Sequence, residues 1–411
     1  MALNYPNIWL LQDGEPLPID QKPRLMRIGN LAQKLVAAGF DVTWWASRFN
    51  HSLKRHREYP DTFYKMNDHY RICLLDGPCY KKNVSFARIR HYRSLATNFT
   101  RLADSLERPD IIIGSYPSPE LCFAGMRFAK KHSIPFIVDI RDPWPDIFSE
   151  YFPPLIRWCF FPIIYYYRRI LRLILSSASS IIAVSEAMLR WGIHYSGRPK
   201  SERDKVIYIG YNQRDVEREI TVPENFTEEN PLICLFATTC GNSYDGSTLV
   251  EAARILESRG ERRACFIISG DGEFRQKWIA QASGLKTVQF TGWISHEELQ
   301  AWFLKVHVGL ILMRGGITSF WLGNKFPEYL STSLTLVNNV PGEPQEIINN
   351  YKLGLNISAK NPRALADAIS TLLVSPEMVK EFMKNSKKVF QEIFERGKIY
   401  DGYVKYLKEQ R

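Results

Sequence analysis

The stretch GNKFPEYLS, Gly323 to Ser331, sits between two apolar runs. VGLILM, Val308 to Met313, precedes it and is closed by Arg314-Gly315-Gly316; LTLV, Leu334 to Val337, follows it. Two short apolar runs joined by a short helical segment are parallel strands of an α/β sheet. In such a sheet the turn from strand to helix lies at the strand's carboxyl end, where ligands bind. Asn324 is expected to cap the helix, Lys325 to take its first position, and Glu328 to lie in about its first turn.

The same grammar extends to both sides. PLICLFAT reads as a strand and GSTLVEAARILESRG as a helix ended by Gly260. ACFIISGDG, TVQFTGW, VGLILM and LTLVNN then read as further strands with helices between them. In the first half NIWLL, DVTWWAS, DIIIGSY, FIVDIRD and SIIAVSEAML supply strands, with helices over RLMRIGNLAQKLVAAG and PELCFAGMRFAKKHS. The polar segment Asn212 to Asn230 separates the halves and reads as a linker. Pro376 to Arg411 reads as a pair of helices. The expected fold class is α/β, with two facing Rossmann-like doubly wound domains whose cleft takes the ligands. The expected divisions are 1–211, a linker 212–230, a second domain 231–390, and a C-terminal helix 391–411.

Composition bounds the function. A chain of 411 residues, 45% hydrophobic and 24% charged, can bury sizeable cores. Seven cysteines without a CxxC pair argue for free thiols and against a zinc site or disulfide frame. The amino terminus lacks a basic n-region and a long apolar h-region, so it reads as a first strand. No long run is apolar and uncharged enough for a spanning helix. The net charge of +11 calls for anionic partners: nucleic acid, membrane or phosphorylated small molecules. The basic residues form no recognisable nucleic-acid-reading helix, so nucleic acid is not expected as a partner.

Four strand-end loops of the second half carry chemistry. ATTCGNSYDG offers small residues (Gly241, Asn242, Ser243) and Tyr244, whose backbone N–H groups can approach a phosphate; read blandly it is a helix cap and a turn. SGDGEF places Gly270 and Asp271 in a tight turn. FTGWIS places Trp293 and Ile294 where a base could lie, although a packed strand-end Trp would look the same. In GNKFPEYLS, Glu328 either answers the positive helix end or accepts hydrogen bonds from a ribose diol, with Lys325 facing a diphosphate.

Taken in order, these loops resemble the donor-nucleotide domain of GT-B glycosyltransferases, in particular the retaining family 4 enzymes. NKFPEYLSTSLTLV is similar to that family's "NKLFEYLAAGKPV", and TTCGNSYDG to its "GTLGxSYD". The family pairs two glutamates with seven residues between them; Glu328 matches the second and Phe320 holds the place of the first. The resemblance implies Lys325 and Arg314 for the diphosphate. In the first half IRDPWPDIF resembles the "RDLWP" loop of O-antigen and capsule aminosugar transferases. It implies Asp142 and Arg141 as the catalytic pair, orienting the acceptor or the transferred sugar. WWASRFNHSLKRHR resembles their "S-x-F-x-H" segment and implies Arg48 and His51 as acceptor contacts, against the bland reading of solvated loop residues. DGEPLP, Asp13 to Pro18, falls where family members approach the diphosphate. The C-terminal helix is expected to pack back on the first domain.

FPPLIRWCFFPIIYYYRRILRLILSS, Phe152 to Ser177, is crowded with aromatics and arginines. It is too charged to span a bilayer and suits an interfacial helix; an ordinary core helix is the plain alternative. The resulting expectation is a cytoplasmic enzyme, peripheral on the inner face of the plasma membrane. It would move a hexosyl or N-acetylhexosaminyl group, with retention, from a nucleotide diphosphate sugar to a lipid-linked saccharide in bacterial cell-surface polysaccharide synthesis. It would need no cofactor and no metal. The alternatives are a nucleotide-sugar 2-epimerase of the same fold, a non-catalytic binding protein, and a degenerate transferase acting as a partner subunit.

Overall fold

The computed structural model describes residues 5–21, 23–59, 61–82, 85–148, 154–212, 219–315 and 322–410, with the backbone alone for 154–159 and 296. The chain forms two compact units. One is Met1–Tyr208 together with Ile399–Arg411; the other is Ile209–Lys398.

The first unit runs β1 (Asn7–Leu11), α1 (Arg27–Ala37), β2 (Asp41–Ser47), a small hairpin β3 (Phe49–Asn50) and β4 (Arg55–His56), β5 (Phe63–Asn67), β6 (Tyr70–Leu75), α2 (Phe86–Ala103), β7 (Ile111–Tyr116), α3 (Pro119–His132), β8 (Phe136–Ile140), α4 (Pro154–Ser177), β9 (Ser180–Ala183), α5 (Glu186–Ser196) and β10 (Lys205–Val206). Its eight-stranded sheet has the order β10-β9-β8-β7-β1-β2-β6-β5. The pairs are parallel except β5 on β6. A parallel sheet is covered on both faces, which is why NIWLL and IIIGSY are buried along their whole lengths. On one face Trp9 lies against Trp45 and Phe128 at ring-centroid distances of 5.0 and 5.2 Å. On the other, Trp44 and Phe40 join Tyr403, Tyr406 and Leu407 of the returning C-terminal segment. The sequence reading gave no element to residues 63–75. FYKMN is exposed throughout, so the edge strand β5 lacks the apolar run that betrays a buried one, whereas β6, YRICLL, is buried and does carry such a run.

The second unit runs β11 (Leu232–Ala237), α6 (Gly246–Ser258), β12 (Ala264–Ser269), α7 (Arg275–Gln281), β13 (Val288–Gly292), α8 (His296–Lys305), β14 (Val308–Ile311), α9 (Lys325–Ser331), β15 (Thr335–Asn338), α10 (Glu343–Tyr351), β16 (Gly354–Asn356), α11 (Pro362–Leu373) and α12 (Pro376–Val389). A π-helical turn, Phe390–Phe394, and α13 (Arg396–Lys408) follow. The six-stranded sheet is parallel, in the order β13-β12-β11-β14-β15-β16. The order reverses between β11 and β14, and in the first unit between β1 and β7. These are the switch points where doubly wound sheets open a ligand crevice at their carboxyl ends.

The segment read as a linker is structured where it is described. Phe226 is buried in the second unit's core, with Ile220 and Val222 packed against it. Those apolar residues are spaced among charges, so composition hid their anchoring role.

Candidate functional site

In the second unit the loops at the switch point are knitted by backbone hydrogen bonds. Thr238 N–H donates to Ser269, Phe274 N–H to Cys240, Asp245 N–H to Leu312 and Arg314 N–H to Ser243, at 2.8–3.1 Å. Gly270 N–H donates to Gly292 at 2.7 Å. The structure therefore brings Gly241, Asn242, Ser243, Tyr244, Gly270, Asp271 and Arg314 to one carboxyl edge. Gly270 has φ +129°, and a Cβ there would fall 1.6 Å from the carbonyl oxygen of Thr238. The GDG turn is glycine-rich because two backbones touch. Asp245 opens α6, accepting from Thr248 N–H at 3.2 Å and its hydroxyl at 2.7 Å.

Arg314 donates to Asn242 Oδ1 at 2.8 Å, and its guanidinium lies 4.1 Å from the ring centre of Phe274. Trp293 is 77% exposed, so it is not a packed strand-end residue; Ile294 beside it is half-buried. Thr238, which the sequence reading passed over, has a buried hydroxyl without a partner.

On α9, Lys325 Nζ donates to Glu328 Oε2 at 2.7 Å, and the Tyr211 hydroxyl donates to Glu328 Oε1 at 3.0 Å. Both carboxylate oxygens are thus oriented, and the side chain is 9% exposed. Burial first, and the Glu328 charge second, push the Tyr244 phenol above its ordinary value. Asn324 does not cap α9 with its side chain. Its own backbone is helical, φ −56° and ψ −26°, and lacks the extended geometry that folds an N-cap side chain back onto the N–H groups. Phe320 lies outside the described residues.

The first unit uses its charges differently. Arg27 makes a two-pronged pair with Asp139, at 2.8 and 3.0 Å, and donates to the Tyr208 carbonyl at 3.2 Å. Arg141 donates to Glu15 and, at 3.1 Å, to the Ser115 hydroxyl, and its Nε lies 3.6 Å from Asp139. Glu15 in turn receives Ile28 N–H at 2.9 Å at the start of α1. Arg141 therefore joins a buried four-membered charge network, with Glu15 as the partner that the DGEP motif did not disclose. Asp142, next in the chain, is partly buried; desolvation raises its carboxyl above the ordinary range, against the opposing pull of Arg141. Asp13 is buried and receives the Ser118 hydroxyl.

Arg48 pins its own loop. It donates to Asp76 at 2.6 Å, to the Tyr59 carbonyl, and to the Asp61 carbonyl at 3.2 Å. Each of its side-chain nitrogens is engaged within the first unit. His51 hydrogen-bonds with the Tyr80 hydroxyl at 2.5 Å, and Lys54 Nζ lies 3.5 Å from the same ring nitrogen. Burial, then Lys54 and Arg88, hold its imidazolium below the usual range. Among the described residues no group of three or more His, Cys, Asp or Glu is placed to hold a metal.

A "Glycosyltransferase Family 4" model matches residues 26–214, and a "Glycosyl transferases group 1" model matches residues 232–375. No curated protein sequence matches the chain. Solved structures are similar over nearly the whole length. Sucrose-phosphate synthase from Thermosynechococcus elongatus superposes with a TM-score of 0.69 at 15% identity, covering 98% of this chain and 99% of the other. Anabaena HepE in complex with UDP gives 0.64 at 15% identity, covering 98% and 100%. The lipopolysaccharide outer core galactosyltransferase WaaB gives 0.64 at 13% identity, covering 98% and 100%.

Proposed function

Because the chain belongs to the glycosyltransferases of the GT-B fold, we propose that it transfers a sugar, with retention, from a nucleotide diphosphate sugar to a lipid-linked saccharide in bacterial cell-surface polysaccharide synthesis. The observation that carries this reading is the oriented carboxylate of Glu328 at the start of a helix that follows a switch-point strand. A carboxylate with two donors already in place keeps lone pairs for a ribose diol. Lys325, Arg314 and the N–H groups of Gly241–Ser243 supply positive potential for the charge that builds on the diphosphate as the glycosidic bond breaks. Trp293 offers an exposed face to a base. That HepE has been solved with UDP supports a nucleotide donor. Asp142 is the candidate polar group of the first unit for the acceptor or the transferred sugar, and His51 for the acceptor; Arg48 supports them only by holding its loop.

The acceptor's lipid places the enzyme, on this reading, at the cytoplasmic face of the plasma membrane. Among the described residues no helix is long and apolar enough to cross a membrane. The outer side of α4 supports a peripheral mode: Phe161 and Tyr165 are 56% and 59% exposed, followed by exposed Tyr166, Arg169, Arg172 and Leu173.

A melting-point screen over UDP-, GDP- and dTDP-sugars tests the donor. A ligand that binds only the folded chain raises its melting point, and one sugar nucleotide is expected to do so. No shift from any of them would remove the donor assignment. Release of an epimerised nucleotide sugar without acceptor would favour the 2-epimerase.

A further inference from the structure

The chain enters the second unit at Ile209 and leaves it after Lys398. These two crossings are paired with each other. Tyr211 N–H donates to the Phe394 carbonyl at 3.0 Å, and Arg396 N–H donates to the Tyr211 carbonyl at 2.9 Å. Tyr211 and Glu395 thereby form an isolated parallel bridge, and Arg396 Nε reaches the Gly210 carbonyl at 3.4 Å. The second crossing is preceded by the π-helical turn Phe390–Phe394, a form that breaks the regular ladder and recurs at functional sites.

The helix that carries Glu328 touches both crossings. Through its phenol, Tyr211 holds Glu328 Oε1 at 3.0 Å. Through Phe326, α9 packs on Phe394, with ring centres 5.7 Å apart. One residue thus has its backbone in the crossing pair and its side chain on the proposed ribose-holding carboxylate.

We propose that Tyr211 is a positioning residue that couples donor occupancy to the two chain crossings. The inference rests on the reading that Glu328 takes the donor's ribose. The phenol holds one carboxylate oxygen and Lys325 the other, and each oxygen keeps a further lone pair for the diol. When a diol binds those lone pairs, the carboxylate's freedom falls, and with it that of the Tyr211 phenol. The main chain of Tyr211 then tightens against residues 394–396. The backbone pair at the crossings is therefore tightest when nucleotide is bound. Removing the phenol oxygen keeps the backbone pair but breaks the link.

The test uses the full chain, wild type and Tyr211→Phe, with UDP, GDP and dTDP as probes. Titration calorimetry gives the affinity, and hydrogen–deuterium exchange is followed at 323–331 and 394–398. In the wild type the bound nucleotide is expected to slow exchange in both segments. In Tyr211→Phe affinity should fall about tenfold, the order of one hydrogen bond to a charged group. Nucleotide at saturation should then still protect 323–331 and no longer protect 394–398. A purely structural role for Tyr211 would move the melting point without separating the two segments. Equal affinity in both proteins overturns the inference, as does protection of 394–398 in the variant, or its absence in the wild type. If the wild type binds none of the three nucleotides, the donor reading falls as well.

Discussion

The two units place ionic groups at the same point of the same architecture and use them in opposite ways. At the first unit's switch point Glu15, Arg27 and Asp139 are buried and Arg141 is nearly so, and each is answered by another. At the second unit's, Lys325 and Arg314 remain partly exposed, and Glu328 is held by one cation and one phenol. Paired charges withdrawn from water are tied to the fold in one sense: removing one partner strands the other in a site it cannot leave. Lys325 and Arg314, which keep contact with water beside the buried Glu328, are available to a ligand. The contrast fits the donor role proposed for the second unit.

The largest effect should come from splitting the buried network. Arg27→Met leaves the fully buried Asp139 carboxylate without its two-pronged partner, a change of the kind that costs about 3–5 kcal/mol. The urea midpoint of the first unit should drop sharply. Replacing both partners together, with Met at 27 and Leu at 139, should recover most of it, since an apolar pair also satisfies a buried site. A small loss in the single variant would mean that the network is not what holds this edge together. The corresponding cut in the second unit is Glu328→Ala. It should leave the melting point nearly unchanged, because Lys325 keeps access to water. It should weaken nucleotide binding by about 10–100-fold, the range for hydrogen bonds to a charged group. A variant that melts early while binding normally would reverse the contrast.

The same contrast explains what the sequence disclosed. Most strands of both sheets were legible, because parallel strands buried on both faces read as short apolar runs, as IIIGSY and VGLILM do. The loops after β11, β12, β13 and β14 were legible because strand ends are punctuated by glycine and small polar residues. The edge strand β5 was not, since nothing covers it. Nor was the Glu15–Arg141 pair, whose members lie far apart in the chain and meet only when β1 and β8 are set in one sheet. Tyr211 carried no signal of its own, because its importance comes from the bridge to Glu395. The side-chain cap expected at Asn324 failed for a local reason: the residue is already helical.

A middle-sized effect separates the two faces of α4. Its inner face, with Tyr167, Leu171 and Ile174, is buried in the first unit. Arg168 is tied to Asp146 at 2.8 Å. Arg169 and Arg172 stand on the outer face. If that face lies on an anionic bilayer, each charge contributes about 1 kcal/mol, or roughly fivefold in partition. Removing Arg169 and Arg172 should therefore release the protein from vesicles containing phosphatidylserine, as read by co-sedimentation, without lowering the melting point. Unchanged sedimentation would leave α4 as a core helix with an exposed side.

The smallest effect concerns a buried carboxyl of the first unit that lies outside the network. Glu120, at the start of α3, accepts from the Tyr167 hydroxyl of α4 at 2.6 Å through Oε1, while Oε2 is buried without a partner. Burial pushes its carboxyl above the ordinary 4.5, against the opposing pull of the Tyr167 hydrogen bond. A folded-state value raised in this way favours the protonated form. Its contribution to stability is fully present below the unfolded value and is lost as pH rises through the folded one. Glu120→Gln keeps an acceptor for Tyr167 and removes the ionisation. The variant should melt level with the wild type near pH 4 and slightly above it at pH 8. If the gap between the two melting curves does not widen with pH, Glu120 is ionised in the fold, and the first unit tolerates a buried charge outside its network.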